Sequence, residues 1–361
     1  MSLDMTSQAT VAVAANYVRN TWYPLTWSRD VDRSLRRRRI LGEDIVVYRT
    51  ESGRPTALRE TCPHRLAPLS AGRLRGDAIE CGYHGMTFGP DGRCVRIPGQ
   101  KQIPANARVR AYPVAERMDL VWIWMGEPAL ADEGKIYRLP QYGLAGWQAV
   151  EGDALRIDAN YLNLADNLCD PAHVSFVHTT TLGNAASEDI PVEYKSTDTG
   201  VLVWRWILNA PPIPLFAKYG TFKGNVDRWH YYDYIAPCIA IIDFGSAEAG
   251  VTVDLNDRSK GMQIFACHFL TPVDAHSCID HWLFVRNFAL GDADVDERMR
   301  GDFRVAFNED KEILEKIEQV ERAGTDIKRI RLGIDAAPMR MRRHVEQMMA
   351  REANGVAVSV A

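Results

Sequence analysis

Two short loops constrain this chain more than any other feature. Cys62-Pro63-His64 is followed, after sixteen residues, by Cys81-Gly82-Tyr83-His84. A thiol and an imidazole on each of two tight turns form a metal-binding arrangement. Thiolates and imidazoles suit soft or borderline cations, and two short loops can close on one centre. The fold must therefore hold two loops side by side. The chain has seven cysteines, an odd and scattered set, which argues against a disulfide framework.

Two metal readings compete for these loops. One is a structural zinc site. The other is a [2Fe–2S] cluster of the Rieske type, in which one iron takes two Cys and the other two His. The C-x-H…C-x-x-H spacing favours the cluster. So do Pro63, Pro68, Gly82 and Gly85, which let backbone N–H groups approach sulfide. Neither loop carries a further Cys, so no disulfide can brace the pair.

The surroundings read as β structure. Arg39-Ile40-Leu41 and Ile45-Val46-Val47-Tyr48 are apolar runs split by Gly42-Glu43-Asp44, and Leu120-Val121-Trp122-Ile123-Trp124 is another. A Pro/Gly-marked segment near Asp132–Gly146 predicts a boundary, giving domains at 1–137 and 138–361. The second part reads as mixed: helical near 160–180, strands from 201 to 290, long helices after 292. The expected class is α+β. Lys plus Arg number 43 against 47 Asp plus Glu, which removes the basic excess usual in nucleic-acid binders. The run Arg36-Arg37-Arg38-Arg39 reads as a solvated edge, with a docking patch for an acidic donor as the alternative. Met1 to Ala15 does not resemble a signal peptide, and no apolar run approaches a membrane span. A cytoplasmic setting is expected.

A second constellation lies at Asn167-Leu168-Cys169-Asp170-Pro171-Ala172-His173 and on to His178. His173 and His178 are five apart, about 140° on an ideal helix, so a regular helix would splay them. Pro171 predicts a break, with Asp170 capping a helix that starts at Pro171. Two histidines can supply two thirds of the facial His/His/carboxylate set that leaves positions open on a non-haem iron. The carboxylate must come from elsewhere. In the late helix the apolar stripe Phe303, Phe307, Leu314, Ile317 contains Asp310. An inward carboxylate is costly unless paired or metal-bound. Asp310 is therefore the candidate ligand, ahead of Glu309, with a buried Asp–Arg or Asp–His pair as the alternative.

With these residues in view, the chain resembles the oxygenase components of the vanillate O-demethylase, toluenesulfonate methyl-monooxygenase and dicamba monooxygenase group of Rieske oxygenases. The resemblance runs through Arg19-Asn20-Thr21-Trp22-Tyr23, Cys62 to Ser70, Cys81 to Gly85, Ile97-Pro98-Gly99-Gln100, Asp166 to His178, Arg286-Asn287-Phe288 and Glu309-Asp310. Pro171 departs from the pattern. The resemblance implies an all-β Rieske domain, then a helix-grip catalytic domain with an antiparallel sheet and a mononuclear iron. It implies a head-to-tail trimer in which His84 of one subunit meets Asp170 of the next, with Asp170 passing electrons toward His173 and Asn167 supporting the site. It also implies O₂ as co-substrate, a small aromatic substrate, and NAD(P)H drawn on only through a separate reductase, with or without a ferredoxin. Asp243 and His268 fall on strands that line the family's pocket and are candidate substrate contacts. Oxidative O-demethylation or methyl hydroxylation is the expected reaction. Ring dihydroxylation, a non-enzymatic Rieske electron carrier and a zinc-stabilised module are the rivals.

Overall fold

The computed structural model describes residues 17–251 and 257–355. The N-terminal stretch judged unlike a signal peptide lies outside the described residues. The chain divides into two compact units. One runs to Arg138 and takes in Thr271–Ala275 and the stretch from Arg351; the other runs from Leu139 to Leu270 and from His276 to Ala350.

The first unit is built from three small sheets. Trp22–Trp27, Leu120–Trp124 and Val114–Arg117 form one; Arg36–Ile40, Glu43–Arg49, Pro55–Arg59 and Ala111–Tyr112 form another. Leu41 and Gly42 both take positive φ, 49° and 77°, closing a two-residue hairpin of the kind that matches strand twist. The arginine run is the edge strand of its sheet. Arg37 and Arg39 pair with Asp44 and Arg36 with Asp32, so it is a charged edge that discourages further strand addition. The third sheet, Arg73–Arg75, Ala78–Glu80, Thr87–Phe88 and Cys94–Arg96, carries the Cys81 loop between its two middle strands. Beneath both cysteine loops lie Val46, Tyr48, Leu58, Leu69, Ile79, Met86 and Phe88.

The second unit is a seven-stranded antiparallel sheet gripped by helices. Its strand order is Gln148–Ile157, Ser277–Arg286, Met262–Asp274, Ile239–Glu248, Val226–Ile235, Gly200–Ala210, Glu193–Ser196. Five helices accompany it among the described residues: α1 (Tyr161–Asn167), α2 (Val174–Val177), α3 (Pro214–Tyr219), α4 (Ala293–Ala323) and α5 (Ala336–Ala353). Helix α4 starts where the Asp292 carboxylate accepts from the Asp294 and Val295 N–H groups, and it stops at Gly324 with φ 78°. Its Phe303, Ala306 and Phe307 pack on Phe244, Ile264, Trp282 and Phe284 of the sheet. The buried stripe differs from expectation at its end. Ile317 is 41% exposed, and Glu318 is buried in its place. Positions 317 and 318 lie equally far, about 50°, to either side of the stripe's centre, and the carboxylate at 318 is satisfied by the Asn160 N–H and by His276 Nδ1.

Candidate active site

The two cysteine loops are built by one hydrogen-bond scheme used twice. In each, the Cys carbonyl accepts from the N–H four residues on, Leu66 or Gly85, at 3.0 Å. In each, the Cys N–H donates to the carbonyl five residues on, Ala67 at 2.9 Å or Met86 at 2.8 Å. The fourth position needs positive φ in both, 59° at Leu66 and 70° at Gly85. Only the second must be glycine on grounds of space, because a Cβ there would lie 2.9 Å from Pro98 Cγ. Cys62 and Cys81 are buried, while His64 and His84 are exposed with ring centroids 4.6 Å apart. Two thiols below and two imidazoles above are the donors a binuclear iron–sulfur cluster with mixed ligation requires.

The second site grows from a short break in helix. α1 begins at Asn160, whose side chain accepts from the Leu162 N–H at 2.9 Å, and gives out at Leu168. At the Asp170-Pro171 turn, Asp170 Oδ1 accepts from the Ala172 N–H at 2.8 Å, and the Pro171 carbonyl accepts from buried Arg205 Nη2 at 2.7 Å. The helix does not start at Pro171 as the sequence suggests. Its single turn spans Val174–Val177, with His173 just before it and His178 just after, at φ −107° and ψ 41°. That brevity removes the 140° problem. His178 has left the helix, so the rings converge to 5.3 Å between centroids.

Asp310 of α4 meets them. Its Oδ1 lies 3.2 Å from His178 Nε2 and 3.5 Å from His173 Nε2, and it accepts from Asn167 Nδ2 at 2.9 Å. The other ring nitrogens are occupied. His178 Nδ1 meets Glu309 Oε2 at 2.8 Å, and His173 Nδ1 meets the Asp170 carbonyl. With both Nδ1 atoms as donors, both Nε2 lone pairs face Asp310, the tautomer a metal needs. Among the described residues His173, His178 and Asp310 form the one group whose ligand atoms, all within 4.8 Å of one another, could hold a metal ion. Two imidazoles and one carboxylate fit a non-haem iron with open positions. Burial depresses the His173 pKa. At His178 burial pulls the same way, but Asp310 and Glu309 outweigh it and hold the imidazole above its ordinary value.

The triad opens on an apolar cavity. Leu182, Ile242, Phe244, Phe303 and Phe307 supply its walls, with His230, Tyr232 and His268 as polar groups. His268 Nδ1 is 2.7 Å from Asp280 Oδ2, and its Nε2, buried, has no protein partner. Asp243 does not reach the cavity. Ile242 and Phe244 point inward, so strand alternation turns Asp243 to the other face. There it accepts from Trp229 Nε1 at 3.0 Å, Gln263 Nε2 at 2.7 Å and Arg258 Nε at 3.0 Å. Sequence reasoning also passed over His230, Tyr232 and Asp280, whose inward direction depends on strand parity that mixed apolar runs leave ambiguous.

Two loops of mixed thiol and imidazole donors and a buried His/His/Asp group beneath an apolar cavity define a Rieske-type non-haem iron oxygenase. Comparison with known proteins agrees: residues 21–113 match the Rieske [2Fe-2S] domain, and residues 157–351 the vanillate O-demethylase oxygenase C-terminal domain. The chain belongs to the vanillate O-demethylase oxygenase family. It is 35% identical to the toluene-4-sulfonate monooxygenase system iron-sulfur subunit of Comamonas testosteroni, over 94% of this chain and 99% of that one. It is 34% identical to the chloroacetanilide N-alkylformylase oxygenase component of Rhizorhabdus wittichii, over 95% and 99%. The crystal structure of dicamba monooxygenase bound to 3,6-dichlorosalicylic acid superposes with a TM-score of 0.86 at 31% identity, covering 93% of this chain and 99% of that one. The chain is thus an oxygenase component that uses a Rieske cluster, a mononuclear iron and O₂. No helix among the described residues is long and apolar enough to cross a membrane.

Proposed function

We propose that this oxygenase removes or hydroxylates a methyl group on a small aromatic compound, O-demethylation being the foremost case. The observation that carries the reading is the His173/His178/Asp310 group at the edge of a cavity walled by Phe244, Phe303 and Phe307. Such a cavity accepts a flat apolar ring and excludes water, and its few polar groups fix orientation. In this reading Cys62 and Cys81 hold one iron of the cluster, His64 and His84 the other, and His173, His178 and Asp310 the mononuclear iron. The iron supplies O₂ activation. One oxygen atom enters the methyl C–H bond; the other leaves as water with two electrons and two protons from outside. A methoxy-aromatic so hydroxylated is a hemiacetal, which breaks to a phenol and formaldehyde.

The chain's own residues have assigned tasks. Glu309 and the Asp170 carbonyl fix the ring nitrogens, Asn167 steadies Asp310, and His268 Nε2, backed by Asp280, offers a hydrogen bond to a substrate oxygen. A separate reductase, with or without a ferredoxin, delivers electrons from NAD(P)H. Assembly is a head-to-tail homotrimer in which His84 bonds to the partner subunit's Asp170, the exposure of His84 leaving it available. None of the seven cysteines is joined in a disulfide, which suits a reducing cytoplasm.

The test is iron and acid-labile sulfide per chain on anaerobically purified protein, then turnover with a reductase on methoxy- and methyl-aromatics. About three irons and two sulfides with formaldehyde release support the reading. Two irons reduce it to an electron carrier, a cis-diol product to a dioxygenase, and zinc without sulfide overturns it.

A further inference from the structure

One polar group of the cavity has its hydrogen-bonding polarity fixed by the fold. His230, on the strand Val226–Ile235, is a cavity residue and is buried. Directly across from it on the neighbouring strand is Arg205, whose Nε donates to His230 Nδ1 at 3.3 Å. Arg205 is itself held, with Nη1 on the Ser187 carbonyl at 2.8 Å and Nη2 on the Pro171 carbonyl at 2.7 Å. A guanidinium only donates, so Nδ1 must accept and the one ring proton must sit on Nε2. An imidazolium would set a second N–H against Arg205. Burial and the charges of Arg205, Arg228 and His173 hold the His230 pKa well below its ordinary value, so the ring stays neutral.

The direction of that N–H follows from the ring. Nε2 is on the edge opposite Nδ1, turned away from Arg205 to the side of Phe244, which pairs with His230 and is another cavity wall. Among the described residues nothing accepts from it. A donor facing an apolar cavity is unfavourable until a ligand brings a lone pair. Tyr232 faces the cavity from the same strand, but a hydroxyl donates or accepts and imposes no choice. His173 is near enough for its charge to act on His230, which puts the fixed donor beside the candidate metal ligands. His268 pairs with Ala240, four residues from Phe244, so the two cavity histidines stand roughly 13 Å apart along the sheet. A substituted ring between them presents one substituent to each.

We infer that His230 determines which methyl group is attacked: its Nε2–H receives the oxygen atom that carries the methyl, so methyl ethers are taken over methyls borne on ring carbon. The inference rests on the function proposed above and chooses between the two reactions named there. The same contact serves the end of the reaction. When the hemiacetal breaks, the electron pair of the C–O bond stays on the ether oxygen. The hemiacetal's own hydroxyl proton moves to that oxygen, giving the phenol and formaldehyde. His230 faces the negative charge that gathers there and keeps its own proton.

The test sets 4-methylanisole against p-xylene, which differ by one oxygen atom, on the holoprotein. Dissociation constants and thermal shifts are measured first, without turnover. The ether should bind about 2- to 10-fold more tightly, the worth of one neutral hydrogen bond. That preference should be lost in His230→Leu and kept in part in His230→Gln, whose amide N–H₂ can replace Nε2–H. Turnover of 4-methylanisole then places two methyl groups in competition within one molecule. The unaltered protein should release formaldehyde and 4-methylphenol, and His230→Leu should shift the products toward 4-methoxybenzyl alcohol. Equal or weaker binding of the ether by the unaltered protein, a preference that persists in His230→Leu, or 4-methoxybenzyl alcohol as the unaltered protein's main product overturns the inference. The unaltered protein decides even where a variant fails to fold. Neither product, with an ether preference that depends on His230, breaks the proposed reaction and leaves the His230 contact standing.

Discussion

At Cys62 and Cys81 the backbone does the positioning, whereas at His173, His178 and Asp310 side chains hold side chains. The two cysteine loops repeat one pair of main-chain hydrogen bonds, and their imidazoles stand in solvent. The triad draws on a helix break and a distant helix, with each of its side chains braced by a further group: Glu309, the Asp170 carbonyl or Asn167. The contrast follows from what each centre does. An electron-transfer centre needs a rigid cage with exposed edges, while an oxygen-activating centre needs open positions, chosen tautomers and little water. The first should therefore be sensitive to backbone space, and the second to single polar atoms.

The largest effects come from removing one ligand on each side. Asp310→Ala should abolish turnover and empty the mononuclear site while the reduced protein keeps its cluster EPR signal. Cys81→Ala should lose the cluster signal and labile sulfide while retaining the His/His/Asp group. If either substitution removed both metals, the two regions would not be independently built. Next in size is Glu309→Gln, which keeps shape but weakens the hold on His178 Nδ1. A loss of about 10- to 100-fold in iron affinity or activity is expected, read as residual iron after mild chelation. Unchanged iron retention would show that the bracing is dispensable.

The backbone side is tested at the paired turn positions. Gly85→Ala places a Cβ at φ 70° and within 2.9 Å of Pro98 Cγ, and should cost about 1–2 kcal/mol. Leu66→Gly, at the twin position, removes an exposed side chain from a strained turn and should leave the cluster intact. The unfolding midpoint and sulfide content check both. Equal losses would mean that the loops tolerate or reject side chains for reasons other than local space.

Much of this contrast could be read in the sequence, and its limits are physical. The geometry of the cysteine loops was legible because candidate ligands and turn residues are contiguous. Asp310 was legible because a carboxylate inside an apolar helical stripe has few explanations. The role of Glu309 was not, because an off-stripe acid on a helix is ordinarily solvated, and only the return of the chain at His178 brings an imidazole to it. The helix start at Val174 rather than Pro171 depends on Arg205, more than thirty residues on, taking the Pro171 carbonyl. Asp243 was misplaced because Ile239-Ala240-Ile241-Ile242-Asp243-Phe244 is apolar on both faces, so no alternation announces which side is inward.

Asp243 supplies the smallest and most discriminating test. A substrate contact and a structural carboxylate predict opposite results for Asp243→Asn. The side chain is buried on the outer face, where burial raises its pKa while Arg258, Trp229 and Gln263 oppose the shift. Asparagine keeps the volume but gives up the charge facing Arg258 and puts an N–H₂ against the donor Trp229 or Gln263. The expected cost is about 1–3 kcal/mol in stability, with KM within about twofold, since effects of this size at sites off the cavity act on folding. Denaturant unfolding and steady-state kinetics on the same preparation separate the two quantities. A KM raised tenfold at unchanged stability would move Asp243 back into the substrate site and require the strand to be turned over.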